Sequence, residues 1–314
     1  MRIASFNLQN LRLRHGAGGP RLDGARDRDT GESAAPRLDQ RDRELTARVI
    51  AALDADVIAL QEVFDRATLE LFHDTYLLPT GIAAYTHRIC LPGNDGRGLD
   101  LALLSRVRPA DIRSHAKLRP GDLGLTAPAG HAAETPVFRR DCLVVDIGAL
   151  MLVIVHFKAP YPDAAAAWPV RHLEALAVRR LIERRFDDPA RGLWMILGDL
   201  NDPARQTEQR AVSPVLPPFS VSLLDRLPGQ ERWTYYDAWS GGYGRPDDML
   251  ASPALAAAFP DSRPDVHREG LGLEARRHTG IHLPQTGRHR PHASDHAALV
   301  IEFPGLGAPT HDRA

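Results

Sequence analysis

Short apolar runs alternate along this chain with polar stretches rich in glycine and proline. Arg2 to Leu8 reads as a buried strand, and Val57 to Leu60 as a second that ends at Gln61-Glu62. Leu45, Val49 and Leu53 recur at helical spacing and predict an amphipathic helix over Arg43 to Leu53, broken by Asp54-Ala55-Asp56. The stretch from Arg12 to Arg43 has no periodicity and many Gly, Arg and Asp residues, so a loop insertion is expected there. Leu101 to Leu104 and Cys142 to Val145 are further strands. A turn over Asp146 to Ala149, containing Gly148, makes Cys142 to His156 a β-hairpin. Leu173, Leu176, Ala177 and Leu181 define a long helix, and Met195 to Leu197 a strand ending in Gly198-Asp199. Trp233 to Tyr236, Asp248 to Ala251 and Ala297 to Phe303 are strand-like, while Ser262 to His292 predicts a second long loop. Strands and helices mix over the whole length without a repeat or a dividing linker. The expectation is a single α/β domain over 1–314, with a mixed sheet core layered against helices.

Composition narrows the field of functions. Of 314 residues, 43% are hydrophobic and 25% charged, which suits a globular protein with a sizeable core. The 39 basic and 40 acidic side chains leave a formal charge of -1, so any polyanion must be met by a local basic patch. Only Lys117 and Lys158 are lysines, a bias that a GC-rich coding sequence explains better than phosphate binding does. Two cysteines, Cys90 and Cys142, are too few for a disulfide framework. The first residues lack the charged and apolar regions of a secretory signal. The longest apolar run, Ile147 to Val155, is far short of the roughly 20 residues a membrane span needs. A cytoplasmic monomer is expected.

The candidate chemistry sits where strands end. Asn7 closes the first strand, Glu62 follows the second, and His156 closes the hairpin. Asp199 and Asn201 follow Met195 to Leu197, and Asp295-His296 precedes the last strand. Rigid elements place loop-borne groups accurately, so strand ends are where sites gather. Asn, Glu, Asp and His without cysteine form a hard, oxygen-rich set suited to Mg²⁺ or Mn²⁺ rather than structural zinc.

The segments SFNLQN, ALQEV, VHFK, LGDLND, RPDDMLAS and SDH, in this order, resemble the endonuclease/exonuclease/phosphatase superfamily over residues 1 to about 303. The resemblance implies a four-layered α/β sandwich, with two mixed, mostly antiparallel sheets packed face to face between helical layers. It implies Glu62 as principal metal ligand, with Asn7 beside it and Asp295 contributing. It makes Asp199 the group that orients and deprotonates a water, Asn201 a holder of phosphoryl oxygens, and His156 a second donor. His296 would bond a phosphate oxygen, oriented by Asp247, with Asp248 the alternative partner. Gln9 stands two positions after Asn7, where many members carry an acidic residue.

Taken singly, each residue has a plainer explanation. Asn7 could be a turn residue, Glu62 a solvated loop residue, and His156 a satisfied core histidine. Asp202-Pro203 fits a helix start, with Asp202 as its cap. The joint pattern is what favours chemistry. Asp100 is a candidate to orient His156 or another site residue, with a structural salt bridge as the alternative. Arg97, Arg140 and Lys158 are candidate phosphate contacts, though a surface role is favoured for each singly; Arg171 and Glu174 read as an exposed helix pair. His278, His282, His289 and His292 suit a polar loop better than a metal tract. The function expected is hydrolysis of a phosphate ester, with a nucleic-acid phosphodiester (DNA or RNA) as first choice. A phosphatase or phosphodiesterase acting on a small phosphorylated metabolite or phospholipid headgroup is the alternative, and a non-catalytic binding module is disfavoured.

Overall fold

The computed structural model describes residues 1–16, 19–26, 35–202 and 210–307. The N-terminal part runs β1 (Arg2–Leu11), β2 (Leu13–Gly16), β3 (Gly19–Leu22), α1 (Pro36–Leu53), β4 (Val57–Val63) and α2 (Arg66–Phe72). There follow β5 (His87–Cys90), β6 (Asp100–Ser105), β7 (Asp111–Ser114), β8 (Cys142–Ile147), β9 (Leu150–His156) and α3 (Ala164–Arg185). The rest is β10 (Trp194–Asp199), β11 (Val221–Ser222), β12 (Tyr235–Asp237), β13 (Gly242–Gly244) and β14 (Asp247–Ala251), then α4 (Pro253–Ala258), β15 (Asp265–His267) and β16 (Ala298–Glu302).

Two six-stranded sheets form the centre, ordered β15-β16-β1-β4-β6-β5 and β11-β14-β10-β9-β8-β7. Between them pack Ile3, Val57, Ala59, Leu101 and Leu103 from one sheet and Leu143, Leu152, Ile154, Met195 and Leu197 from the other. The outer face of the first sheet, with Phe6, Leu8, Ile58 and Leu60, lies under Leu45, Val49 and Leu53 of α1 and Phe72 of α2. The outer face of the second, with Val153, Val155 and Ile196, lies under Ala175, Val178 and Ile182 of α3. Helix, sheet, sheet and helix make the four layers that the resemblance implies. Burial on both faces is why the central strands read as unbroken apolar runs instead of alternating ones.

The polar stretch from Arg12 to Arg43 departs from a plain loop. It carries the hairpin β2–β3, and α1 begins at Pro36, seven residues before the predicted Arg43. The first turns of α1 hide their inward face because that face is ionic: Asp39 and Asp42 are buried and each lies 2.6 Å from Arg290. Hydrophobic periodicity does not register a face buried by charge pairing. Arg171 and Glu174 correct another expectation, since both are buried. The Arg171 guanidinium donates to Lys158 O, and Glu174 accepts the Arg139 and Lys158 backbone N–H groups. Between 262 and 292 only the short edge strand β15 is regular. Residues 203–209, where a helix start after Asp202 is expected, lie outside the described residues; the Asp202 carboxylate pairs with Arg171 and Arg210.

Each large sheet contains one parallel strand pair, β1/β4 in the first and β9/β10 in the second. All other pairs in the two sheets are antiparallel. Parallel neighbours bring both C-terminal ends to the same edge, and here Asn7 lies opposite Gln61 and His156 opposite Asp199. That geometry positions the site.

Candidate active site

At the end of the β1/β4 pair the register slips. Asn7 faces Gln61 but Leu11 faces Val63, so β1 bulges between them. Within the bulge Gln9 and Asn10 have φ of 46° and 57°, and Glu62 opposite has φ of 64°. A left-handed backbone costs a residue with a side chain roughly 1–2 kcal/mol, and such strain collects at functional sites. Its local effect is visible. Gln9 N–H donates to Asn7 Oδ1 at 3.0 Å, and Asn10 N–H donates to Glu62 Oε2 at 2.9 Å. The Asn7 amide in turn donates to Glu62 Oε1 at 3.3 Å and to Asp199 Oδ2 at 3.2 Å, crossing from the first sheet to the second.

At the end of the β9/β10 pair, Gly198 (φ 135°) is so close to β9 that a Cβ would lie 2.0 Å from Val155 O. Only glycine allows this approach while the chain turns Asp199 into the site. Asp199 is the hub. Its Oδ1 accepts Asn201 N–H at 2.8 Å, and its Oδ2 accepts the Asn7 amide and the Asn201 amide, the latter at 3.1 Å. The Asn201 amide also donates to Phe157 O at 3.1 Å, so both of its N–H groups are engaged within the protein. His156 Nε2 lies 3.5 Å from Asp199 Oδ2 and 4.0 Å from Glu62 Oε1. Its Nδ1 has no hydrogen-bond partner among the described residues, so Asp100 does not orient it; Asp100 accepts Gly93 N–H instead.

The remaining groups come from β14 and from the turn before β16. Asp247 sits opposite Asp199 in the antiparallel register and bonds His296 Nδ1 through its Oδ2 at 2.8 Å. His296 Nε2 is 3.9 Å from Asp199 Oδ2. Asp248 points to the other face, as alternation along a strand requires, and there binds Ser222 and Arg245. Asp247, not Asp248, is therefore the histidine's partner. Asp295 is half-buried next to His296, and its N–H donates to Gln9 Oε1 at 3.1 Å.

Electrostatics follow from this packing. Burial pushes the Asp199 carboxyl up to about 6; the Asp247 and Glu62 charges add to that and His296 opposes it. For His296 burial acts downward, but the carboxylates of Asp247, Asp295 and Asp199 outweigh it and hold the imidazole well above its usual value. Burial, helped by Arg140, His296 and Arg97, keeps His156 well below the usual value and hence neutral. Asp199, Asp247 and His296 each offer a ligand atom within 4.8 Å of the others, although His296 Nδ1 is already committed to Asp247. That pairing takes His296 and Asp247 out of a ligand set, whereas the Glu62 carboxylate beside Asn7, with Asp199 across the seam, offers the oxygen donors that fit a hard divalent cation.

Several neighbours of the site escaped sequence reasoning. Thr234 donates its hydroxyl to Asp247 Oδ2 at 2.7 Å, and the Tyr235 ring packs 4.8 Å from the His296 imidazole. Ser294 accepts His296 N–H and donates to Asn7 O, tying the last turn to the first strand. Ser294 stands within the SDH segment and was open to notice; Thr234 and Tyr235 had no local signal, because only the fold brings them to the histidine.

Solved structures share this fold at low sequence identity. Truncated Caenorhabditis elegans TDP2 is similar at 14% identity over 96% of this chain and 95% of that one, with a TM-score of 0.55. An AP endonuclease from Archaeoglobus fulgidus is similar at 15% over 97% and 99%, with a TM-score of 0.53. The 3′ phosphatase NExo from Neisseria, bound to a product DNA hairpin, is similar at 17% over 96% and 99%, with a TM-score of 0.52. Comparison with curated protein sequences gives no significant match. The model of the endonuclease/exonuclease/phosphatase family matches residues 4–296, a span that contains every strand-end residue described above, and the chain belongs to that family.

Proposed function

We propose that this protein hydrolyses phosphodiester bonds in nucleic acid, using Mg²⁺ or Mn²⁺ and a water nucleophile. The family consists of divalent-metal-dependent phosphoric ester hydrolases, and the chain is such an enzyme by membership. The observation that carries the mechanism is the convergence of Asn7, His156, Asn201 and His296 on one oxygen, Asp199 Oδ2. Glu62, Asn7 and Asp295 would hold the cation, which when bound neutralises charge on the phosphoryl oxygens.

The chain's own groups do the rest. Asp199, ionised above about pH 6, orients a water and takes its proton. Asn201 fixes the Asp199 carboxylate through its backbone N–H and side-chain amide. His296, protonated and held by Asp247, donates from Nε2 to a phosphoryl oxygen as charge builds there. Neutral His156 supplies a second donor. Arg140 and Arg97 share the single carboxylate of Asp95, which leaves a net positive charge near His156. Nucleic acid as the substrate draws support from the similar structures, among them an AP endonuclease and a DNA-bound 3′ phosphatase.

The test is a panel of single-stranded DNA, duplex DNA, RNA and small phosphomonoesters, each with Mn²⁺, with Mg²⁺ and with EDTA. Metal-dependent cleavage of at least one nucleic acid is expected. Turnover of monoesters alone would move the protein to the small-metabolite reading. Asp199→Ala and His296→Ala should each abolish the activity while circular dichroism still shows a folded chain.

A further inference from the structure

Arg43, on α1, touches none of the site residues, yet it is fully buried and spends its whole guanidinium on backbone carbonyls. Nη1 donates to Leu8 O at 2.7 Å, and Nη2 donates to Gln9 O at 2.9 Å, Asn10 O at 3.1 Å and Gly24 O at 2.9 Å. Nε donates to Asp23 O at 2.6 Å. No carboxylate lies in salt-bridge contact with it among the described residues; Asp42, Asp23 and Asp39 act only from a distance. Burying a cation without a contacting anion is expensive, so the arrangement calls for a purpose that hydrophobic packing would not serve.

Three of the five acceptors belong to the bulge Leu8–Gln9–Asn10. This bulge is the common support of Asn7, Glu62 and Asp295, reached respectively through Gln9 N–H, Asn10 N–H and the Gln9 side-chain oxygen. His292 Nε2 also meets that oxygen, at 2.9 Å. Gln9 and Asn10 are consecutive left-handed residues with side chains, a conformation the chain would leave if nothing held it.

We propose that Arg43 is a positioning residue for the divalent cation: by clamping the Leu8–Asn10 bulge it presets Asn7, Glu62 and Asp295 for metal binding. The inference rests on the metal-dependent reading above. Lysine cannot substitute, because a single ammonium lacks the planar fork that spans several carbonyls.

The decisive measurement is Mn²⁺ affinity, by isothermal titration calorimetry and by the Mn²⁺-induced rise in melting temperature, on the whole protein without substrate. Arg43→Lys should fold, as judged by circular dichroism, and bind Mn²⁺ about tenfold or more weakly, the range typical for losing a support behind a ligand. Arg43→Lys/Asn10→Gly should recover part of the loss, since glycine holds a positive φ without penalty. Affinity in folded Arg43→Lys within about threefold of wild type would overturn the inference. A double variant no tighter than Arg43→Lys would overturn it as well, because the loss would not run through the bulge. An Arg43→Lys chain that does not fold would make Arg43 a requirement of the fold, which also overturns it. Wild-type protein that takes up no Mn²⁺ would sink the metal reading and this inference together, whereas normal wild-type binding with an unaffected variant sinks only the latter.

Discussion

Asp199→Asn removes a charge that the folded protein holds at a loss, and that loss has a pH signature. The carboxyl titrates at about 6 in the fold against 3.8 when free. A folded value above the unfolded one means that the native state binds more protons, so stability falls as pH rises through this window. Integrated from about pH 4.5 to about pH 7.5, Asp199 ionisation costs the metal-free fold on the order of 2 kcal/mol. Asparagine escapes this cost but replaces one acceptor oxygen by an amide facing the Asn7 and Asn201 donors, which lowers stability by a pH-independent amount. The pH dependence of the difference between the two proteins therefore reports the charge together with its hold on His296. Urea unfolding of both in EDTA should show Asp199→Asn gaining on wild type by about 2 kcal/mol from the acid to the neutral end. Saturating Mn²⁺ should shrink the gain, because a cation at the site favours the ionised carboxylate. A difference that stays flat with pH in EDTA would refute the claim that Asp199 is buried short of positive charge.

The two adjacent aspartates of β14 should part company in assay. Asp247→Asn is expected to lower kcat by about 10- to 100-fold with little change in metal affinity, since it holds the His296 imidazole rather than the cation. Asp248→Asn should leave kcat within about threefold but cost about 1–3 kcal/mol in urea unfolding, because Arg245 and Ser222 lose their buried partner. Gly198→Ala should destabilise by about 3 kcal/mol or more, a steric effect on β9 that thermal unfolding would detect even in inactive protein. Chelation followed by Mn²⁺ or Mg²⁺ repletion should abolish and then restore hydrolysis, and activity that survives dialysis against EDTA with a chase of fresh chelator would contradict a metal-dependent mechanism.

Much of the fold is legible in the sequence. Central strands such as Val57–Val63 and Leu150–His156 are buried on both faces, so their apolar runs stand out against polar loops. Their ends gather the candidate site residues because parallel neighbours finish together, and Asn7, Glu62, His156 and Asp199 are conspicuous after an apolar run. What stayed hidden was polar and long-range. The start of α1 is buried through Asp39, Asp42 and Arg290, so its inward face looks like a solvated one. Arg171 and Glu174 mislead for the same reason: helical spacing suggests an exposed pair, whereas loop backbone N–H groups satisfy Glu174, and Lys158 O with the Asp202 carboxylate holds Arg171. The choice between Asp247 and Asp248 needed the register of β10 against β14, a fact about two strands roughly fifty residues apart that local sequence does not contain.

The hydrogen bond from the Asn7 amide to Asp199 spans the seam between the sheets, and this has a consequence for the order of assembly. Asn7 and Glu62 precede β9 and β10 in the chain, yet the Asn7–Asp199 contact forms only when the two sheets dock across their shared core. His296 arrives later still, on the turn that leads into β16, and β16 must pair with β1 before the imidazole faces Asp199. A half-folded chain holds these groups apart, and the candidate site is complete only once β16 has paired. Topology thus ties completion of the candidate site to completion of both sheets.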